Sequence, residues 1–341
     1  MGHAGLDEDD VRIRPGKGSR PRTRRRPAHD EAVEAFVAAV DRGRYRTWVG
    51  DREVTAMKAR ELGRGGIVVG DTVSLIGDVS GRPDTLARVV RVAPRKTALR
   101  RSADDTDPVE RIMIANADQL VIVTALADPP PRPRLIDRFL VAAFDAGLDP
   151  LLCLTKADLA SPDELLAAYE PLGVAHLVTG RPLTAEVLDE LRAAVAGRVS
   201  VLVGHSGVGK STLFNALVPD ASRAIGTVSP VTGRGRHTSS SALALRLPGR
   251  RGGWLIDTPG LRSFGLGHIS ADDVISAFPD LAEGAAECEP GCSHLEPGCA
   301  LDGWVAAHGG PGGPAAARLD SLRRLLRSQE GLGPAADDDE A

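Results

Sequence analysis

Aromatic side chains are scarce: six Phe, three Trp and two Tyr in 341 residues. A core is therefore built from Ala, Val, Leu and Ile, and a surface of stacked rings is excluded as the main device for holding nucleic acid. Long apolar runs are absent too. None approaches the ~20 residues needed to span a bilayer as a helix. No apolar segment follows the Arg-rich N-terminus, so no secretory signal is expected. The acidic run Asp7-Glu8-Asp9-Asp10 argues against an organelle-import leader. Cysteine is limited to four residues, three of them clustered with a histidine. That pattern fits a reducing compartment and a metal site better than disulfides. A cytoplasmic protein with no membrane partner is expected.

The formal net charge of -4 hides an asymmetry. From Val11 to Pro27 the chain is strongly basic and holds no acid, whereas Asp337-Asp338-Asp339-Glu340 is acidic. Residues 1–29 lack apolar periodicity and read as a disordered arm. Its cations, Arg12, Arg14, Lys17, Arg20, Arg22, Arg24, Arg25 and Arg26, gain affinity for a phosphate backbone by releasing counterions. Residues 331–341 read as an acidic tail.

Residues 30–102 carry short β-branched runs at Tyr45–Val49, Glu53–Met57, Ile67–Val69, Thr72–Ile76 and Leu86–Val92, separated by turn signals. Five strands in some sixty residues predict an OB-type barrel. Pro94-Arg95-Lys96 and Arg100-Arg101 add positive charge, and Tyr45 and Trp48 are the available stacking aromatics.

After a linker at Asp104–Pro108, strands and helices alternate. Strands are expected at Gln119–Ala125, Leu151–Leu154, Ala175–Val178 and Val199–Val203. Helices are expected at Arg134–Ala146 and Thr184–Ala196, and Ser161-Pro162-Asp163-Glu164 reads as a capping box with proline at the first helical position. Ala242–Leu247 and Trp254–Ile256 form a hairpin. The pattern predicts a mostly parallel α/β sheet with helices on both faces.

Gly204-His205-Ser206-Gly207-Val208-Gly209-Lys210-Ser211-Thr212 fits G-x-x-x-x-G-K-[ST] at every fixed position, between a Val-rich strand and a helix. Such a loop turns successive N–H groups toward one anion, and the following helix adds its N-terminal partial charge. Lys210 reaches terminal phosphates and Ser211 ligates Mg2+. Three further signals accompany it. Asp257-Thr258-Pro259-Gly260 follows a strand: Asp257 serves the Mg2+ shell and Gly260 offers an N–H to a γ-phosphate. Thr155-Lys156-Ala157-Asp158 matches the guanine motif N-K-x-D except at its first position, and Asp158 pairs with a donor pair that adenine lacks. Gly233–Ser240 reads as a first switch loop, with Thr238 completing the Mg2+ shell.

The motif order is permuted. In ordinary GTPases the base motif follows the phosphate loop; here it precedes it. The second switch therefore feeds directly into the C-terminal segment. Leu261 follows Gly260, where many GTPases place a water-orienting Gln, so slow intrinsic hydrolysis is expected, with His237 positioning the attacking water.

Cys288, Cys292, His294 and Cys299 form a closed tetrahedral zinc set with spacing C-x3-C-x-H-x4-C. With no ligand position left for water, a structural Zn2+ is expected. Ala315–Arg327 is a basic amphipathic helix that packs on the zinc module, contacts RNA, or both.

These residues, together with Ile114-Ala115-Asn116-Ala117-Asp118-Gln119 and Gly235-Arg236-His237-Thr238, resemble one family: the circularly permuted, ribosome small subunit-dependent GTPase A proteins. The resemblance covers most of the chain after the arm. It implies an N-terminal OB-type β-barrel (30–102), a circularly permuted P-loop GTPase domain (103–275) and a helical zinc-binding C-terminal module (276–330). It implies late maturation of the small ribosomal subunit, contact with its rRNA, and GTP hydrolysis to GDP stimulated by that subunit. A monomer is expected. Departures are Thr155 for Asn, His205 for Gln, and zinc gaps one residue shorter at each variable spacing. Other readings are a permuted GTPase of the large subunit, an RNA-binding module with weak turnover, and a P-loop kinase. A preference for GTP over ATP would remove the last.

Overall fold

The computed structural model describes residues 29–63, 66–101, 111–219, 242–258, 269–295, 298–308, 310 and 313–329. His237, Thr238, Gly260, Leu261, the linker, the basic arm and the acidic tail lie outside the described residues.

Five strands close a barrel: β1 (Val33–Asp41), β2 (Arg44–Val49), β3 (Arg52–Lys58), β4 (Thr72–Gly77) and β5 (Ala87–Val92). Their order is β1-β2-β3-β5-β4, and β1 returns to pair with β4. β3 and β5 run parallel, and the other barrel pairs are antiparallel. Ala35, Val37, Val54, Ala56, Val73, Leu75, Ala87 and Val89 fill the interior. The small residues among them suit a narrow barrel.

The barrel departs from expectation at two strands. Ile67–Val69 forms no ladder; only Val69 bridges, to Ile114. The fifth strand is instead β1, whose Ala and Glu content favours helix in isolation. Tertiary packing overrides that preference, because Ala35 and Val37 both face the barrel. A register shift between Val37 and Ala39 lets β1 change partners. Its first half pairs with β4, and Ala39 pairs with Leu243 in the next domain.

Charge at the barrel is also spent differently. Arg95 forms a bidentate pair with the fully buried Asp71, at 2.7 and 2.8 Å. It is a structural cation and not a free contact for RNA. Tyr45 is buried in the barrel. Trp48 packs edge-on to Trp254, whose ring stacks on Phe36 at 4.3 Å. The two expected stacking aromatics thus build the barrel and its joint.

A ribbon of β6 (Ala98–Arg101) and β7 (Arg111–Ala115) leads into the second domain. Asn116 follows it with φ +53°. Its amide donates to Gly70 O and accepts from Lys96 N. Asp118 accepts from Val199 N. The Ile114–Gln119 segment is therefore a staple between barrel, ribbon and sheet.

The sheet comprises β8 (Gln119–Ala125), β9 (Asp149–Thr155), β10 (Ala175–Val178), β11 (Val199–Val203), β12 (Leu243–Arg246) and β13 (Trp254–Asp257). Its order is β10-β9-β8-β11-β13-β12. All neighbours are parallel except the β12–β13 hairpin. Alternate residues of β8 serve opposite faces. Leu120 and Ile122 pack with α1 (Pro133–Asp145), whereas Val121 and Val123 pack with α3 (Ala185–Val195) and α4 (Lys210–Leu217). The helix α2 (Asp163–Tyr169) starts one residue later than expected. Pro162 is its N-cap residue, and Ser161 Oγ bonds the Asp163 carboxylate instead of closing a capping box.

The C-terminal helices are α5 (Ala271–Ser276), α6 (Pro279–Ala285), α7 (Ala300–Ala307) and α8 (Pro314–Gln329). Leu319, Leu322, Leu325 and Leu326 of α8 are buried in the same apolar cluster as α1. Each such leucine stabilises by about 1.5–3 kcal/mol, against about 0–1 kcal/mol for an exposed ion pair. The leucines hold α8 in place, and its arginines set the contacts. Arg318, Arg323 and Arg324 all have partners on the protein, while Arg327 is exposed. Among the described residues no helix is long and apolar enough to cross a membrane.

Candidate functional site

Among the described residues, the Gly204–Thr212 loop, Thr155–Asp158 and Asp257 lie where β8, β9, β11 and β13 end. The loop Gly204–Gly209 joins β11 to α4. Gly204 has φ +138°, and a Cβ there would lie 2.2 Å from Val123 O. No other residue fits that approach. Gly209 is the N-cap of α4 in the left-handed region. Val208 is buried in the core below, which fixes the loop from its apolar side.

Lys210 opens α4, and its ammonium donates to Gly204 O at 2.5 Å and His205 O at 2.6 Å. Burial lowers its pKa, and the charge of Asp257 opposes that shift. Asp257 ends β13 and is in register with Leu202 on β11. The next residue, Thr258, donates to Leu202 O at 3.0 Å. The Asp-x-x-Gly strand and the phosphate-loop strand are thus locked side by side. Ser211 and Thr212 occupy the first turn of α4, and Gly207 and Ser206 the tip of the loop.

Thr155 ends β9 and is buried. Its hydroxyl donates to Val208 O at 2.6 Å, and Thr124 O lies at 3.3 Å. The single proton serves the shorter bond. Lys156 follows in the left-handed region, and its ammonium donates to Asp128 O. Ala157 N bonds Thr179 O. Asp158 is exposed, and its Oδ1 accepts from Arg181 N at 2.8 Å. The loop Thr179-Gly180-Arg181, after β10, therefore sits against the base motif. It is absent from the sequence expectations. Its only signal is a polar, Gly-containing step directly after a strand.

His205 lies amid cations. Its Nε2 is buried without a hydrogen-bond partner among the described residues. Burial lowers its pKa, and Arg132, Lys210 and Lys156 lower it further. Arg132 comes from the turn before α1, a second element that the motifs do not mark.

The Cys3His group forms a second centre. The four ligand atoms lie within 4.8 Å of one another. Cys288 Sγ and Cys299 Sγ are 3.5 Å apart, and Cys292 Sγ and Cys299 Sγ 3.8 Å. His294 Nδ1 is 3.6 Å from the sulfurs of both Cys288 and Cys299. Zinc–ligand bond lengths imply tetrahedral edges of about 3.8 Å between sulfurs and about 3.5 Å from sulfur to nitrogen. The donor set therefore fits zinc, and all four cysteines are free of disulfides. His294 Nε2 faces Asp272 Oδ1 at 3.5 Å. Arg323 donates from Nε to His294 O at 2.9 Å and from Nη1 to Asp302 at 2.8 Å. Burial alone would lower the Arg323 pKa. Asp302 and then the Cys299 sulfur raise it above the usual arginine value.

The sequence profile of the RsgA GTPase family matches residues 92–267. Over 222 residues the chain is 45% identical to the small ribosomal subunit biogenesis GTPase RsgA of Pseudomonas aeruginosa (strain LESB58). That alignment spans 61% of this chain and 64% of the relative. The protein of the same name from Ectopseudomonas mendocina is 40% identical over 255 residues, covering 70% of this chain and 69% of the relative. For Gemmatimonas aurantiaca the figures are 38% over 242 residues, with 67% and 76% covered. The crystal structure of YjeQ from Thermotoga maritima matches 88% of this chain and 99% of its own, with a TM-score of 0.63 and 23% identity. The crystal structure of YloQ, a circularly permuted GTPase, matches 92% of this chain and all of its own at the same TM-score and identity. These two likenesses show the fold: a circularly permuted GTPase behind an OB-like barrel.

Proposed function

This chain belongs to the RsgA GTPase family, and we propose that it hydrolyses GTP to GDP and phosphate during late maturation of the small ribosomal subunit. The observation that carries the reading is the Thr155–Val208 bond. It ties a guanine-type motif to a phosphate-type loop 53 residues away, so base and phosphates are read by one rigid unit.

The residues divide the work as follows. Backbone N–H groups of Gly204 to Thr212 hold the phosphates, and Lys210 neutralises their charge. Asp158 accepts the two guanine donors, Lys156 lies along the base, and Thr155 and Ala157 fix the loop that presents them. Ser211, Thr238 and Asp257 hold Mg2+, which neutralises developing phosphate charge. Gly260 senses the γ-phosphate. His237 positions the attacking water, since Leu261 has no polar group to do so. Cys288, Cys292, His294 and Cys299 hold one structural Zn2+. The unmatched part of the relatives makes the partner a proposal as well. The barrel and the basic arm contact rRNA through charge and shape, and the protein works as a cytoplasmic monomer. Its units are an arm (1–29), a barrel (30–102), the GTPase domain (103–275), the zinc module (276–330) and a tail (331–341).

Steady-state GTP hydrolysis tests this, measured for the protein alone, with small subunits and with large subunits. Stimulation by small subunits only is expected, and it should fall in His237→Ala. Equal stimulation by both subunits, or by neither, overturns the partner. Preference for ATP overturns the substrate.

A further inference from the structure

The zinc ligands carry a charge that they do not balance themselves. Three thiolates, one neutral imidazole and Zn2+ sum to one negative charge. His294 and Cys299 are buried, so that charge sits where water screens it weakly. The neighbouring acids, Asp272 and Asp302, add to the imbalance. This inference rests on the zinc reading above.

Arg323 reaches the cluster from α8. Two of its nitrogens are already fixed, Nε on the His294 carbonyl and Nη1 on the Asp302 carboxylate. Nε–H and one Nη2–H share an edge of the planar guanidinium. With Nε held on the backbone of a zinc ligand, Nη2 is aimed to the same side. Nη2 is buried and has no hydrogen-bond partner among the described residues, sulfur included. A buried guanidinium N–H left without an acceptor costs about 1–3 kcal/mol or more. A thiolate satisfies that donor and balances the charge at once.

We propose that Arg323 is the counter-cation of the zinc centre, its unpartnered Nη2 donating an N–H···S hydrogen bond to the Cys299 thiolate once the metal is bound. It acts through the ligands as a positioning residue and does not bind the metal. Asp302, which follows Cys299 on the first turn of α7, holds the guanidinium in place; its own pKa is lowered chiefly by that contact. The pair makes the zinc centre one unit with α8.

The test uses the full chain and three substitutions. Arg323→Lys keeps the charge and loses the fork. Arg323→Gln keeps a donor and loses the charge. Arg323→Ala loses both. Zinc release to a chromogenic chelator should quicken about 10–100-fold in the Gln and Ala variants, with Lys between them and the wild type. In the cobalt-substituted protein, the sulfur-to-metal charge-transfer band should move to lower energy in Arg323→Gln, because a thiolate without its cation is the easier electron donor. Guanine-nucleotide affinity and helix content, measured alongside, should stay unchanged. A wild type holding one metal ion, with the same release rate and spectrum in all three variants, overturns the proposal alone. A wild type that holds neither zinc nor cobalt removes the zinc reading and this proposal with it.

Discussion

The Thr155 hydroxyl lies 2.6 Å from the Val208 carbonyl and is buried. Thr155 stands where N-K-x-D motifs have Asn, yet it reaches the phosphate loop directly. The shorter side chain suffices because β9 ends beside the loop: Thr155 packs against Gly209, where an added Cβ would stand at the ordinary contact distance of 3.6 Å from its Oγ1. Loss of one buried hydrogen bond costs about 0.5–1.5 kcal/mol. Thr155→Ala should therefore weaken GDP binding about 2–10-fold, read by titration with a fluorescent nucleotide. Thr155→Val, which keeps the volume, should do the same. An unchanged affinity in both would show that the tether is idle.

Arg324 and Asp137 give a stability test with a pH sign. Asp137 is buried on α1. Burial raises its pKa, while Arg324 and Tyr169 pull it back. Arg324 bonds the Asp137 carboxylate and Ala168 O, and stacks 4.7 Å over the Tyr169 ring. Removing one partner of a buried pair costs about 3–5 kcal/mol. A third of the Arg324 side chain is exposed, so Arg324→Ala should lose less than that, about 2 kcal/mol. Its Asp137 would then titrate higher still. A carboxyl whose folded pKa is raised stabilises the fold below its unfolded pKa and loses that contribution as pH rises through the folded value. The variant's deficit should be largest at neutral pH and shrink toward pH 4, seen in urea unfolding across that range. A deficit independent of pH would place the loss in packing alone.

Zinc affinity should rise with pH. Burial first, and then the neighbouring thiols, push the Cys299 thiol up to about 12. Protons must leave when the metal binds. Competition with a chelator between pH 6 and 8 should show tighter binding at the higher pH, with proton release in calorimetry. Cys153 serves as the internal control: buried in β9, its thiol is also pushed up to about 12. It should resist alkylation in the native protein, while chelation exposes Cys288, Cys292 and Cys299 to the reagent.

The joint between barrel and sheet rests on few rings. Trp254, three residues before Asp257, stacks on Phe36 and meets Trp48. Arg246 packs over Trp48 and pairs with Asp51. Trp254→Ala should lower stability by about 3 kcal/mol, whereas Trp254→Phe should keep most of it. Denaturant unfolding measures both. Equal losses would mean that stacking area does not hold the joint.

Legibility followed sequence distance. The phosphate loop, the Asp-x-x-Gly strand end and the strands of the sheet could be read because glycine spacing and β-branched runs act locally. β1 could not, since Ala and Glu favour a helix until Ala35 and Val37 find the barrel and Ala39 finds Leu243. Arg95 read as a free cation because Asp71, 24 residues away, carries no local mark of its burial. Thr179–Arg181 and Arg132 escaped notice for the same reason: only the folded sheet places the turn after β10, and the start of α1, beside the motifs.

By itself the sequence determined the chemistry offered. Three glycines and a lysine set a loop for phosphate, and four ligands within twelve residues set a site for one metal ion, because their geometry is closed by turns a few residues long. The tertiary structure decided what those sites are joined to. Thr155 meets Val208 across 53 residues, and Arg324 meets Asp137 across 187. Contacts of that span depend on packing the whole chain, which no local pattern encodes.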